Sequence, residues 1–166
     1  SGAAFIYYGE EIGMISGGSD DPSKRAPMLW TSNGTGGITG KPPGCTLPES
    51  YVFGSLADQE ADPYSIYNYY RQVIAIRNAL PAVSRGRTTA EAALNVGCIS
   101  AQRKTWNGEE CIILMNIHTE AAQVDLSAYA DWTVAATLAV DETEPKVDGA
   151  TLSLPGYGVA VLIPNK

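Results

Sequence analysis

The stretch Val96-Gly97-Cys98-Ile99-Ser100-Ala101-Gln102-Arg103-Lys104-Thr105, then Trp106-Asn107-Gly108, then Glu110-Cys111-Ile112-Ile113-Leu114-Met115-Asn116-Ile117 decides the class of the second half of the chain. Two runs rich in apolar and β-branched residues flank an Asn-Gly pair. Asn and Gly are the residues that most readily take the left-handed backbone of a two-residue hairpin turn. The stretch therefore reads as a β-hairpin. Working outward, further short strands are expected at residues 123–126, 133–138, 151–154 and 159–163, separated by turn residues. Several short strands with turn signals at close spacing predict an antiparallel β-sandwich.

The first half differs. Ala3-Ala4-Phe5-Ile6-Tyr7-Tyr8 is a continuous apolar run, expected to be a strand over residues 3–8 buried on both faces, as in parallel sheets. It stops at Gly9-Glu10-Glu11. A Gly-, Pro-, Ser- and Thr-rich stretch follows over residues 13–48, too long for an ordinary connection and read as a functional or disordered loop. A helix is expected next, with Asp62 as N-cap and Pro63 in its first turn. Ile66, Tyr69 or Tyr70, Val73, Ile76 and Leu80 would form one buried stripe, and Leu80-Pro81 would end it.

Of the 166 residues, 45% are hydrophobic and 17% charged, a globular composition. The formal net charge is −7, and the 11 Lys and Arg residues are scattered, so no nucleic-acid partner is expected. No run approaches the roughly 18–20 apolar residues of a membrane span, so no membrane partner is expected either. No signal peptide is visible, and the chain starts at Ser1 without an initiator Met, which reads as the boundary of a fragment. Localisation is left open. Three cysteines, Cys45, Cys98 and Cys111, cannot all pair within the chain, and no C-x-x-C suggests zinc. Cys98 and Cys111 read as small buried hydrophobes, with a disulfide between them as the alternative.

No complete catalytic constellation is visible. Glu10 and Glu11 sit at the end of the expected strand, where parallel sheets present functional residues. Neighbours on a strand face opposite sides, so they cannot be the facing carboxyl pair of a glycosidase. Asp20-Asp21-Pro22-Ser23-Lys24-Arg25 is a charged cluster that reads as a solvated turn or as a site where Arg donates hydrogen bonds to a hydroxyl-rich ligand. His118, the lone histidine, reads as a surface residue. Trp106 and Trp132 read as turn or core aromatics, or as platforms for sugar rings.

Taken together, the residues resemble a known family. Phe5-Ile6-Tyr7-Tyr8-Gly9-Glu10-Glu11-Ile12-Gly13-Met14 is similar to the segment at the eighth barrel strand of α-amylase-type enzymes, glycoside hydrolase family 13. Arg25-Ala26-Pro27-Met28-Leu29-Trp30 resembles that family's R-T-P-M-Q-W motif, with Ala26 and Leu29 in place of its Thr and Gln. Gly37-Ile38-Thr39 matches the G-F-T that often follows. Gln59, Asp62-Pro63, Ser65-Ile66, Asn68-Tyr69-Tyr70-Arg71, Ile74-Ala75 and Ile76-Arg77 resemble its final barrel helix, and Pro81-Ala82-Val83 with Arg85-Gly86 its exit into a C-terminal β-domain.

The resemblance implies a mainly β fold in which a C-terminal antiparallel Greek-key β-sandwich, residues 84–166, follows the last strand and helix of a TIM (β/α)8 barrel, residues 1–83. It implies a parent enzyme, a retaining glycoside hydrolase of α-amylase or α-glucosidase type, acting on α-glucans or maltooligosaccharides. The family's nucleophile Asp, acid/base Glu and stabilising Asp belong to earlier strands, so no residue here inherits a catalytic role and this chain alone is expected to be inactive. Arg25 occupies the position that can reach the glucose at the non-reducing end of the site. With Glu11 at the rim, it is a substrate-binding candidate. No cofactor or metal ligand is expected in this chain; the family's calcium sites lie mainly upstream. Two other readings are a carbohydrate-binding module using Trp106, Trp132 or Tyr157, and a non-catalytic structural or interaction member of the family. An isolated barrel strand has unpaired edges, so self-association through residues 3–8 is a further expectation.

Overall fold

The computed structural model describes residues 4–165. They form two compact units that divide between Arg71 and Gln72, inside a helix. The helices are α1 (Leu56–Ala61), α2 (Ile66–Ala79) and α3 (Pro81–Arg85). The strands are β1 (Arg87–Ala90), β2 (Ile99–Trp106), β3 (Glu109–Asn116), β4 (Ala122–Asp125), β5 (Trp132–Leu138), β6 (Lys146–Asp148), β7 (Thr151–Leu154) and β8 (Val159–Pro164). Single 3-10 turns lie at Glu10–Ile12, Ser23–Arg25 and Ser127–Tyr129. The fold is mainly β, and every strand pairing is antiparallel.

In the second unit the hairpin forms as the sequence predicts. Trp106 faces Glu109 across the turn and Ile99 faces Asn116 at the far end. Asn107 has φ 47° and Gly108 φ 81°, the left-handed pair a two-residue hairpin turn requires. This hairpin lies inside a five-stranded sheet of order β1-β2-β3-β8-β5, which packs against a three-stranded sheet of order β4-β7-β6.

Strand alternation decides what each face buries. Ile112 and Leu114 of β3, Ala160 and Leu162 of β8, and Ile99 and Ala101 of β2 meet Val124, Leu152 and Leu154 of the smaller sheet, forming the β-sandwich core. On the opposite face, Cys111 and Val161 are buried with Ala82 of α3, and Ile76, Leu80 and Val83 pack beside them. The central strands are thus covered on both sides. Cys45, Cys98 and Cys111 are all free, so the alternative of a Cys98–Cys111 disulfide is not realised. His118 is exposed, as expected.

The structure corrects the reading of the first half of the sequence in three places. The strand expected over residues 3–8 does not form among the described residues of that run; Ala3 lies outside them. Tyr7 sends its N–H to Glu10 Oε2 (3.2 Å) and accepts from the Glu10 N–H (3.0 Å), so its backbone is committed to the following 3-10 turn. The run is also not buried, and Phe5 is 91% exposed. Second, the helix starts later than expected. Asp62 Oδ1 accepts from the Tyr64 N–H two residues on (2.9 Å), a local turn, while Ser65 Oγ accepts from the Asn68 N–H (3.1 Å) and takes the capping role. Third, α2 carries no fully buried residue, and Val73 (38%) and Ile74 (41%) are exposed, so its stripe is only partly covered.

Helix α1 escapes the hydrophobic-pattern reading but carries a capping box: Ser55 Oγ accepts from the Asp58 N–H and Asp58 Oδ2 accepts from the Ser55 N–H (2.9 Å). Buried Gln59 ties the unit together, donating to the Ile12 carbonyl (2.8 Å) and accepting from the Tyr67 N–H (3.1 Å). Ile12, Met28 and Leu29 form its small core.

One ion-pair network joins several parts of the β-sandwich. Arg103 on β2 contacts Glu91 and Glu110, each at 2.6 Å, and the Tyr129 hydroxyl donates to Glu91 (2.8 Å). Burial alone would raise the Glu91 carboxyl, but the hydrogen bonds from Arg103 and Tyr129 outweigh it and hold the group below its usual range. A depressed carboxylate stabilises the fold above its unfolded pKa, about 4.3, and that contribution fades as pH falls through the lower folded value. Glu91→Gln is expected to lower stability at pH 7 by about 1–3 kcal/mol. The gap from wild type should narrow below about pH 4.3. Urea midpoints at pH 7 and pH 3 check this; a gap that stays constant with pH removes Glu91 as the titrating group.

Candidate functional site

The first unit carries Glu10, Glu11 and the Asp20–Arg25 cluster singled out from the sequence. Gly9 (φ 89°) and Gly13 (φ 62°) bracket the turn Glu10–Ile12. Both positions need a left-handed backbone, which glycine supplies without strain. The two glutamates therefore do not alternate across a strand as expected; they sit on one tight turn. Each folds back on its own backbone: Glu10 accepts from Tyr7, and Glu11 Oε2 accepts from the Gly9 N–H (2.7 Å).

A small cleft of about 110 Å³ opens beside this turn, lined by Tyr7, Tyr8, Glu10, Met14, Ser16 and Lys24 among others. Glu10 lines it and Glu11 does not. Tyr8 closes one side by donating its hydroxyl to the Ala26 carbonyl (3.0 Å). Arg25 lies next to the cleft on the 3-10 turn Ser23–Arg25, with its guanidinium 2.6 Å from Asp21. Both partners are largely exposed, at 63% and 70%, so water screens the pair and it does little to hold Arg25. Among the described residues no ion pair joins Arg25 to Glu11.

What holds Arg25 is the start of its turn. Ser23 is fully buried, which is unusual in so polar a loop. Its N–H donates to Asp20 Oδ1 (2.9 Å), its hydroxyl lies 2.8 Å from both Asp20 oxygens, and its Oγ accepts from the Thr46 N–H (2.9 Å). These Ser23 hydrogen bonds hold the Asp20 carboxyl below its usual range. The clasp closes the loop between residues 20 and 46 and fixes the turn that carries Lys24 and Arg25. Sequence reasoning quoted the cluster but missed the clasp, because Thr46 is distant in the chain. The Asp-x-x-Ser spacing was the available signal.

A family model described as the catalytic domain of alpha amylase matches residues 1–86, just over half of the chain. The chain belongs to the α-amylase family, glycoside hydrolase family 13. It is 30% identical to the alpha-amylase SusG of Bacteroides thetaiotaomicron over 97% of this chain and 24% of that protein. A probable alpha-glucosidase of Rhizobium meliloti is 29% identical over 75% of this chain and 26% of that protein. Among solved structures, Eubacterium rectale Amy13B superposes with a TM-score of 0.88 at 35% identity, covering 99% of this chain and 32% of that one. The chain thus spans about a quarter of the length of the curated relatives it matches.

Among the described residues no group of three His, Cys, Asp or Glu side chains gathers as a metal ion would need, and no helix is long and apolar enough to cross a membrane.

Ser23→Ala removes the hydroxyl and leaves the Thr46 N–H and one Asp20 oxygen without a partner. The expected cost is about 1–3 kcal/mol, confined to the first unit. Hydrogen exchange should quicken over residues 20–46 while the β-sandwich amides keep their protection. Unchanged exchange in that loop removes the clasp as its anchor.

Proposed function

We propose that this chain is the C-terminal part of a retaining glycoside hydrolase of α-amylase or α-glucosidase type acting on α-glucans, and that it is inactive alone. Residues 1–83 would be the end of its barrel, the last strand and helix, and residues 84–166 a Greek-key β-sandwich. The observation that carries this reading is the family-model match over residues 1–86, ending where β1 begins at Arg87, in a chain a quarter as long as its curated relatives. The return of β5 and β8 to the first sheet, after β4 and β7 have entered the second, favours the Greek-key connection.

The barrel assignment draws support from the apolar residues of the first unit. Phe5, Ile6, Tyr7 and Tyr8 are exposed and form no strand, as expected of a barrel strand without its neighbours. Self-association through this run is part of the proposal, since a second copy would cover the same side chains. Retention needs a nucleophile and an acid/base facing each other about 5–5.5 Å apart. Glu10 and Glu11, bound to their own turn, do not offer that arrangement. The calcium and catalytic acids of the family are assigned to the upstream barrel.

Arg25, with Glu11 at the rim, is assigned to substrate binding. A guanidinium on an exposed, clasped turn offers several hydrogen-bond donors to a sugar hydroxyl.

The purified 166-residue protein is expected to release no sugar from maltoheptaose and to show concentration-dependent association in light scattering. Released sugar removes the inactivity; a strict monomer at every concentration removes the self-association. In the full-length enzyme, Arg25→Ala should lower kcat/KM on maltooligosaccharides about tenfold or more, the loss of a charge-assisted hydrogen bond. An unchanged kcat/KM refutes the Arg25 assignment.

A further inference from the structure

A cleft of about 450 Å³ in the β-sandwich unit is lined by none of the residues discussed above as part of a barrel site. It opens between the 3-10 turn Ser127–Tyr129, the start of β5 and the β6–β7 turn. Its volume falls within the usual range for small-ligand sites. Leu126, Val134 and Leu162 belong to the sandwich core and also line the cleft, so it has an apolar floor.

We propose that this cleft is a second sugar-binding site, taking a short stretch of α-glucan on Trp132. This rests on the reading that the parent enzyme handles α-glucans. Three observations point there.

The first is the rigidity of the aromatic wall. Arg103 lies over the Trp132 ring, 4.9 Å from its centroid, and Tyr129 meets Trp132 edge-on at 6.2 Å and 73°. Arg103 is held by Glu91 and Glu110, and Tyr129 is held by Glu91. The ion-pair network therefore fixes both rings before any ligand arrives, so binding has little side-chain entropy to overcome.

The second is charge. No lining residue is Asp, Glu, Lys, Arg or His, so the cleft favours neither an anion nor a cation. A neutral ligand with both apolar and hydroxyl faces fits. Sugars pack their C–H faces on aromatic rings and need partners for their hydroxyls.

The third is the supply of those partners. Ser127 and Thr133 line the cleft with exposed hydroxyl side chains. Thr133 and Val147 belong to β5 and β6, the edge strands of their sheets, whose outer backbone groups have no strand partner among the described residues. Of the three aromatics named from the sequence, Trp132 lines this cleft and Trp106 and Tyr157 do not.

The test is titration calorimetry of the 166-residue protein with maltoheptaose, with cellohexaose as a β-linked control. Binding is expected for maltoheptaose, at least tenfold weaker for cellohexaose. Trp132→Ala should weaken it at least tenfold. Because Trp132 also touches the core, Ala150→Trp is the companion variant: it fills the cleft from an exposed turn and should weaken binding equally with the fold, checked by circular dichroism, intact. Tyr157→Ala should bind as wild type. No binding, equal binding of cellohexaose, or full affinity in Ala150→Trp overturns the proposal. Hydrolysis of maltoheptaose by the full-length enzyme without binding to this chain would sink the cleft and leave the enzyme reading standing. The opposite pair of results would do the reverse.

Discussion

The β-sandwich depends on β3 being buried on both faces. Ile112 and Leu114 point one way into the sandwich core, and Cys111 points the other way under α3. A strand so placed needs its backbone paired on both edges and both faces covered, since buried unpaired N–H and C=O groups are costly. β2 and β8 satisfy the edges. The smaller sheet covers one face, and α3 with the end of α2 covers the other. Asn116 closes the arrangement where β3 ends. Its buried amide donates to the carbonyls of Glu120, Leu154 and Pro155, and its Oδ1 accepts from the His118 N–H (3.1 Å). Side-chain hydrogen bonds from one residue thus lock the end of the first sheet to the end of β7 in the second.

This requirement also explains where the chain divides. The second unit starts at Gln72 and so includes the last turns of α2, because Ile76 and Leu80 help cover the outer face of the sheet. Gly86, at the end of α3, lies close to β2: a Cβ there would lie 3.0 Å from Lys104 Cβ and 3.1 Å from Thr105 N, and 2.2 Å from the Ala82 carbonyl oxygen of its own helix. Any side chain at that position would separate the helix from the sheet it covers.

The parts of the fold that were legible in the sequence are those fixed by local chemistry. Asn107-Gly108 set the hairpin, and the strands at 151–154 and 159–163 follow from apolar runs between turns. β1 and β6 were not legible: Arg87-Thr88-Thr89-Ala90 and Lys146-Val147-Asp148 are short, polar edge strands held by their neighbours rather than by their own pattern. The run at 3–8 misled for a different reason. A continuous apolar run reports what a segment could bury, whereas the Tyr7 backbone here is bonded into the turn at Glu10–Ile12. Arg25 and Glu11 were named as candidates by motif resemblance. The Asp20–Ser23–Thr46 clasp and the cleft beside Trp132 were not, since both arise from residues brought together only by the fold.

The two units differ in how much apolar surface they enclose. The β-sandwich builds cores on both faces of the larger sheet, although Val96, Ile117 and Tyr157 stay exposed. The first unit has a smaller core and leaves Phe5, Ile38, Val52 and Phe53 exposed, yet it buries Ser23, Ser55, Gln59 and Ser65 with hydrogen bonds, Trp30 Nε1 being a buried group without one. Hydrogen bonds fix local shape through distance and direction, whereas apolar burial is non-directional and accepts any complementary surface. The backbone of the loop that carries Arg25 is therefore specified by the clasp, independently of the exposed apolar side chains of the same unit. The clasp sets the backbone of the turn Ser23–Arg25 through directed bonds, while the Arg25 side chain beyond it stays largely exposed.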